Sequence, residues 1–137
     1  VEPLARVLAN LGVKKAMVVY GQDGLDEISM SAPTTVCEVK DGEFLSYVIT
    51  PEQFGFTRCS KDELIGGSPQ DNAQIALAIL KGEKGPRRDA VVLNSAAAIH
   101  IAKGISIEDA IREAQEVIDS GKALAQLEQF AALTNQE

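Results

Sequence analysis

The chain has 137 residues, 45% of them hydrophobic and 24% charged, the balance of one globular domain with a modest core. Its net charge of −7 and sequence pI of about 4.7 give an average field that repels a polyanion such as DNA, and with aromatics at 4% and no Trp there is little material for stacking bases. No apolar run approaches the ~18 residues that span a bilayer, and no signal-peptide pattern opens the sequence, so neither a membrane nor a nucleic-acid partner is expected.

In chain order, Pro3 to Leu11 reads as a short helix, with Pro3 in the first turn and Gly12 at its C-terminal end. Lys15 to Tyr20 is a continuous apolar run of strand length, which fits a parallel-type strand buried on both faces and in need of neighbours. A helix this close to Val1, and a buried strand without parallel partners, point to a cut inside a larger domain. Gly21, Gly24 and nearby acids mark a loop. Thr34 to Thr50 reads as a β-hairpin turning at Asp41-Gly42, and Pro51 to Asp62 as an irregular connection. Ser68 caps and Pro69 opens a helix that stops at Gly82. Arg87 to Lys103 is a second long helix closed by Gly104. Ser106 with Asp109 starts a third, and after Gly121 a last amphipathic helix runs from Ala123 to Leu133. The fold class is α/β, with helices packed on a few strands and no second domain.

Three clusters could carry chemistry. The loop after the first strand bears Asp23, Asp26 and Glu27, and ligands of open α/β sheets bind beyond the carboxyl ends of strands. Asp26 and Glu27 make a candidate Mg²⁺–phosphate site, because Mg²⁺ takes one or two carboxylates and completes its shell with water and substrate phosphates. The alternative is an acidic loop that is simply solvated. Neither GxGxxG nor a Walker A pattern is present, which disfavours a generic nucleotide-binding domain.

Lys84, Arg87 and Arg88 crowd the start of a helix, where the dipole prefers anions. Pairing with acids on another element is the favoured explanation, with Asp89 an immediate candidate partner, and a bound phosphate is the other. Asn94 with Ser95 interrupts an apolar helix, and Asn94 is expected to tie that helix to the backbone of a neighbouring loop. His100 has no acid or Cys nearby in sequence and reads as a satisfied or exposed histidine. Gly66-Gly67-Ser68 is explained by a helix cap. Cys37 and Cys59 form no CxxC pair and read as reduced thiols of a cytoplasmic protein, although spacing leaves a disulfide between them open.

Taken together and in order, Leu8-Ala9-Asn10-Leu11-Gly12, Gly24-Leu25-Asp26-Glu27-Ile28-Ser29, Pro33-Thr34, Gly82 to Asp89, Leu93-Asn94 and Ile118 to Ala123 resemble the C-terminal portion of anthranilate phosphoribosyltransferases. The resemblance covers nearly the whole chain. It implies the C-terminal part of a phosphoribosyltransferase/nucleoside phosphorylase-type α/β domain. The family moves phosphoribosyl from phosphoribosyl pyrophosphate to the amine of anthranilate, in tryptophan biosynthesis. Its members are usually homodimers through a helical domain, and its Asp-Glu pair, matched by Asp26 and Glu27, helps to hold one Mg²⁺.

The family's Gly-Thr-Gly-Gly-Asp loop and Lys-His-Gly segment do not occur among these residues, nor does the helical domain, and no residue matches anthranilate recognition. The 137-residue chain is therefore expected to be catalytically silent alone, and to self-associate or be marginally stable through exposed apolar surface. Two alternatives remain: a free-standing interaction or regulatory module, and a part of a related pyrimidine nucleoside phosphorylase.

Overall fold

A computed structural model describes residues 1–135. Its elements follow in the order α1 (Glu2–Asn10), β1 (Lys15–Gly21), β2 (Thr34–Lys40), β3 (Glu43–Ile49), α2 (Pro69–Leu80), α3 (Pro86–Lys103), α4 (Ile107–Asp119) and α5 (Lys122–Thr134). The connection between β3 and α2 is less irregular than its composition indicated. It contains two short 3₁₀ turns, Pro51–Phe54 and Lys61–Leu64, opened where the Thr50 and Ser60 N–H groups donate to the side chains of Gln53 and Glu63. Among the described residues, no single helix is long and apolar enough to cross a membrane.

The three strands form one antiparallel sheet in the order β1-β2-β3. This corrects the parallel-type reading of β1. Its neighbour is the hairpin itself, paired from Lys15↔Lys40 to Gly21↔Thr34. The apolar run has a simple cause: β1 is covered on both faces. Met17 and Val19 pack toward α3 and α4, with Val36, Ile49, Val92, Leu93 and Ile111 at the centre of that core. Ala16 and Val18 pack toward α1, against Ala5, Cys37 and Val39. Alternation along a strand sends successive side chains to opposite faces, so a strand with helices on both sides reads as continuously apolar.

The hairpin turn follows its sequence signal. Asp41 (φ 49°) and Gly42 (φ 87°) both occupy the left-handed region that a two-residue primed turn requires. Gly104, with φ 69°, closes α3 in the left-handed conformation, and Ser106 caps α4 by accepting the Asp109 N–H at 3.1 Å. Gly121 (φ 77°) breaks α4 from α5. The chief consequence for the site is that α3 lies against the mouth of the β1–β2 loop.

Candidate metal-binding loop

The loop from Gln22 to Pro33 is organised by a network of hydrogen bonds and by two buried apolar side chains, Ile28 and Met30. Gly21 begins it with a close approach that only glycine permits. A Cβ there would meet Asp23 Oδ1 at 2.7 Å and Ser29 Cβ at 3.1 Å. The Gly21 N–H donates to Leu25 O at 2.9 Å and Gln22 N–H to Pro33 O at 2.9 Å.

Asp23 is the hub. Its carboxylate accepts the Ser29 hydroxyl at 2.8 Å, the Ser31 hydroxyl and, at 3.4 Å, the Leu25 N–H. Burial pushes this carboxyl up. The hydroxyls of Ser31 and Ser29 and the backbone N–H groups more than offset that, and the net result lies below the usual carboxylate range. Ser29 Oγ in turn accepts the N–H groups of Ser31 (2.9 Å) and Ala32 (3.1 Å), and Ser29 N–H donates to Thr34 Oγ1 at 2.9 Å. Lys61 reaches across to the Asp23 carbonyl at 2.6 Å.

The far side of the loop is held by α3. Asn94 Oδ1 accepts the Ile28 N–H at 2.9 Å, while its Nδ2 donates to Ile28 O and Ala90 O, each at 3.0 Å. The expected tie from Asn94 to a neighbouring backbone is therefore present, and its target is the residue that follows Glu27. Buried Ile28 and Met30 pin the same segment into the core.

Asp26 and Glu27 lie between these anchors. Both are exposed, and neither has a hydrogen-bond or ion-pair partner among the described residues. Glu27 also faces a cleft of ≈ 570 Å³ whose walls include Leu25, Ile28, Ile75, Arg87 and Val91. Among the described residues, no three His, Cys, Asp or Glu side chains converge as a complete metal cage. Two unpartnered carboxylates nevertheless suit Mg²⁺, which draws the rest of its shell from water and phosphate.

The basic segment before α3 is spent differently. Lys84 Nζ lies 3.2 Å and Arg88 Nη2 2.7 Å from Asp119 at the end of α4, and Arg87 Nη2 donates to Ile65 O at 2.7 Å. Pairing with an acid on another element is the arrangement observed; the partner is Asp119 on α4, not the immediate candidate Asp89. Adjacent residues on a helix do not face each other, and no ion pair joins Asp89 to Arg88. Burial pushes the Asp89 carboxyl up, partly offset by the charges of Arg88 and Lys84. Sequence reasoning passed over Asp119, whose only signal was its place in the Ile118-Asp119-Ser120-Gly121 string.

His100 is satisfied: Nδ1 meets the Ile105 carbonyl, and Nε2 lies 3.4 Å from Glu38 Oε1. Glu38 also accepts the Tyr47 hydroxyl at 3.0 Å, and burial with that carboxylate pushes the phenol well up. At the start of α2, the Asp71 N–H donates to Ser68 Oγ at 3.2 Å and the Asp71 carboxylate accepts the Ser68 N–H at 2.9 Å, so a cap fills that helix start. Cys37 and Cys59 are both free thiols, and burial pushes Cys59 up.

The chain is 60% identical over 136 residues to the anthranilate phosphoribosyltransferase of Methanobrevibacter smithii and 54% identical to that of Lachnoclostridium phytofermentans, covering 98% of itself in both. It spans only 41% and 40% of those relatives' own lengths. Among solved structures it matches anthranilate phosphoribosyltransferase from Thermus thermophilus with a TM-score of 0.86 and 38% identity, covering 96% of this chain and 39% of that one. The Saccharomyces cerevisiae enzyme, in complex with PRPP and Mg, matches with a TM-score of 0.84 and 27% identity over 93% of this chain and 37% of that one. Residues 1–124 match the family described as "Glycosyl transferase family, a/b domain", and the chain belongs to that family.

Proposed function

We propose that the chain is the C-terminal part of the α/β domain of a Mg²⁺-dependent anthranilate phosphoribosyltransferase, which transfers phosphoribosyl from phosphoribosyl pyrophosphate to the anthranilate amine in tryptophan biosynthesis. The observation that carries this reading is the pair Asp26 and Glu27. Their side chains are left without protein partners on a loop where Asp23 and Ser29 are hydrogen-bonded and which Asn94 ties to α3, in a chain 60% identical to such an enzyme.

In this reading Asp26 and Glu27 would hold one Mg²⁺. When bound, that ion would stabilise the negative charge developing on the leaving group. The chain's own contribution is positional. Asp23 and Asn94 hold the loop ends so that the carboxylates need no reorganisation to meet a cation.

The 137-residue chain does not turn over by itself, because the Gly-rich pyrophosphate loop and the Lys-His-Gly segment are not among its residues. The complete enzyme is a cytoplasmic homodimer with no nucleic-acid or membrane partner, and the free thiols of Cys37 and Cys59 fit a reducing compartment. The isolated chain self-associates through apolar side chains such as Leu4 and Val7 on α1, Leu11 just after it, and Leu45 and Val48 on β3, all exposed. A sharp, concentration-independent monomer in sedimentation would overturn that last point.

The deciding experiment replaces the matching segment of the Methanobrevibacter smithii relative with this chain. The graft is expected to consume anthranilate, followed by its fluorescence, only when phosphoribosyl pyrophosphate and Mg²⁺ are both present. A graft that folds and dimerises yet transfers nothing would overturn the reading in favour of an interaction module that kept the fold without the chemistry.

A further inference from the structure

We propose that Asn94 is a positioning residue for the metal. Its side chain fixes the backbone of Ile28 and thereby sets the direction in which Asp26 and Glu27 present their carboxylates. The proposal rests on the Mg²⁺ reading above.

An amide side chain carries one acceptor and two donors, and Asn94 uses all of them on backbone. One edge takes both the N–H and the C=O of Ile28, at 2.9 and 3.0 Å, as a neighbouring strand would. The remaining hydrogen reaches Ala90 O at 3.0 Å, one turn earlier on the same helix. That third bond locks the side-chain rotamer, so the position of α3 is transmitted to the loop without play. It also settles the amide orientation, since the reverse would set donor against donor at Ile28.

The opposite end of the acidic pair is fixed independently. Leu25 O accepts from Gly21 N–H at 2.9 Å, and Leu25 N–H donates to Asp23 at 3.4 Å. Only Asp26 and Glu27 separate Leu25 from Ile28. A two-residue span between two pinned backbones has few conformations, and its side chains are the ones with no partner. The sequence places an amide, a poor helix former, in a helix otherwise buried through Val92, Leu93 and Ala96. A helix that only had to pack would carry an apolar residue there. Groups that orient metal-binding side chains are worth about 10- to 100-fold in metal affinity when removed.

The test uses the graft with phosphoribosyl pyrophosphate and no acceptor, so no turnover occurs. Mn²⁺ serves as the probe, and water-proton relaxation enhancement reports the protein-bound ion. Asn94→Ala is expected to weaken Mn²⁺ binding about 10-fold or more and to speed amide exchange at Ile28. Asn94→Asp keeps the shape and the acceptor for Ile28 N–H, but sets a carboxylate oxygen against the Ile28 and Ala90 carbonyls; it is expected to weaken Mn²⁺ binding as well and carries the test if the alanine variant does not fold. Ile118→Val, in the α4 core, supplies a destabilised control expected to bind Mn²⁺ normally.

If both Asn94 variants bind Mn²⁺ like the parent, or weaken only as much as the control does at equal Tm loss, the positioning role is overturned. The Mg²⁺ reading is judged separately by Asp26→Asn with Glu27→Gln. Loss of binding there with intact binding in the Asn94 variants sinks the positioning proposal alone, whereas unchanged binding there sinks both.

Discussion

Two stretches of this chain are dense in charge, and the fold treats them in opposite ways. From Lys84 to Arg88 each cation finds a protein partner, in Asp119 or the Ile65 carbonyl, although the Nε atoms of Arg87 and Arg88 stay unpaired. In the β1–β2 loop Asp23 and the backbone of Ile28 and Ser29 are bonded internally, while the carboxylates of Asp26 and Glu27 are left with no partner among the described residues. Density of charge does not distinguish the two stretches. What does is whether the surrounding structure consumes the charge. A group kept free on a rigid, satisfied backbone is available to a ligand, and a group paired inside the fold is holding elements together.

The strongest way to break this comparison is to neutralise both free acids. Asp26→Asn with Glu27→Gln in the graft is expected to lower kcat by on the order of 10²-fold or more, with Tm unchanged, because nothing in the protein leans on those carboxylates. Equal losses of Tm and activity would erase the distinction. Arg88→Ala is the mirror test. It removes a buried guanidinium that joins α3 to α4, and is expected to cost about 2 kcal/mol in denaturant unfolding while leaving Mn²⁺ binding unchanged.

Within the loop the comparison sharpens on Asp23 against its acidic neighbours. Asp23→Ala is expected to cost about 1.5 kcal/mol at neutral pH, from hydroxyl and N–H bonds to a charged group after discounting for solvent screening. Its pH dependence has a definite sign. Because the folded carboxyl lies below the ordinary value of 3.8, its stabilisation is present above 3.8 and is lost as pH falls through the lowered folded value. Acid unfolding curves should therefore flatten in that window for Asp23→Ala. The smallest effect is expected at Ser68→Ala, which removes the α2 cap at a cost of about 1 kcal/mol by thermal melting, without changing metal binding.

The local elements were legible in the sequence because their causes are local. Helix starts at Ser68 and Ser106, left-handed stops at Gly104 and Gly121 and the Asp41-Gly42 turn all act within a few residues, and the structure has each of them. Family membership was legible for a related reason, since an ordered series of short strings survives reading without coordinates. The β1 pairing was misread because a continuous apolar run reports burial on two faces and carries no information about strand direction.

Amino-acid sequence by itself thus determined the elements, the acidic loop as a candidate and the family. Tertiary structure decided which charged groups are spent and which are free. Asn94 meets Ile28 across 66 positions and Arg88 meets Asp119 across 31. Such pairs form only once α3 has packed against α4 and against the β1–β2 loop, and spacing along the chain encodes neither the packing nor the partner.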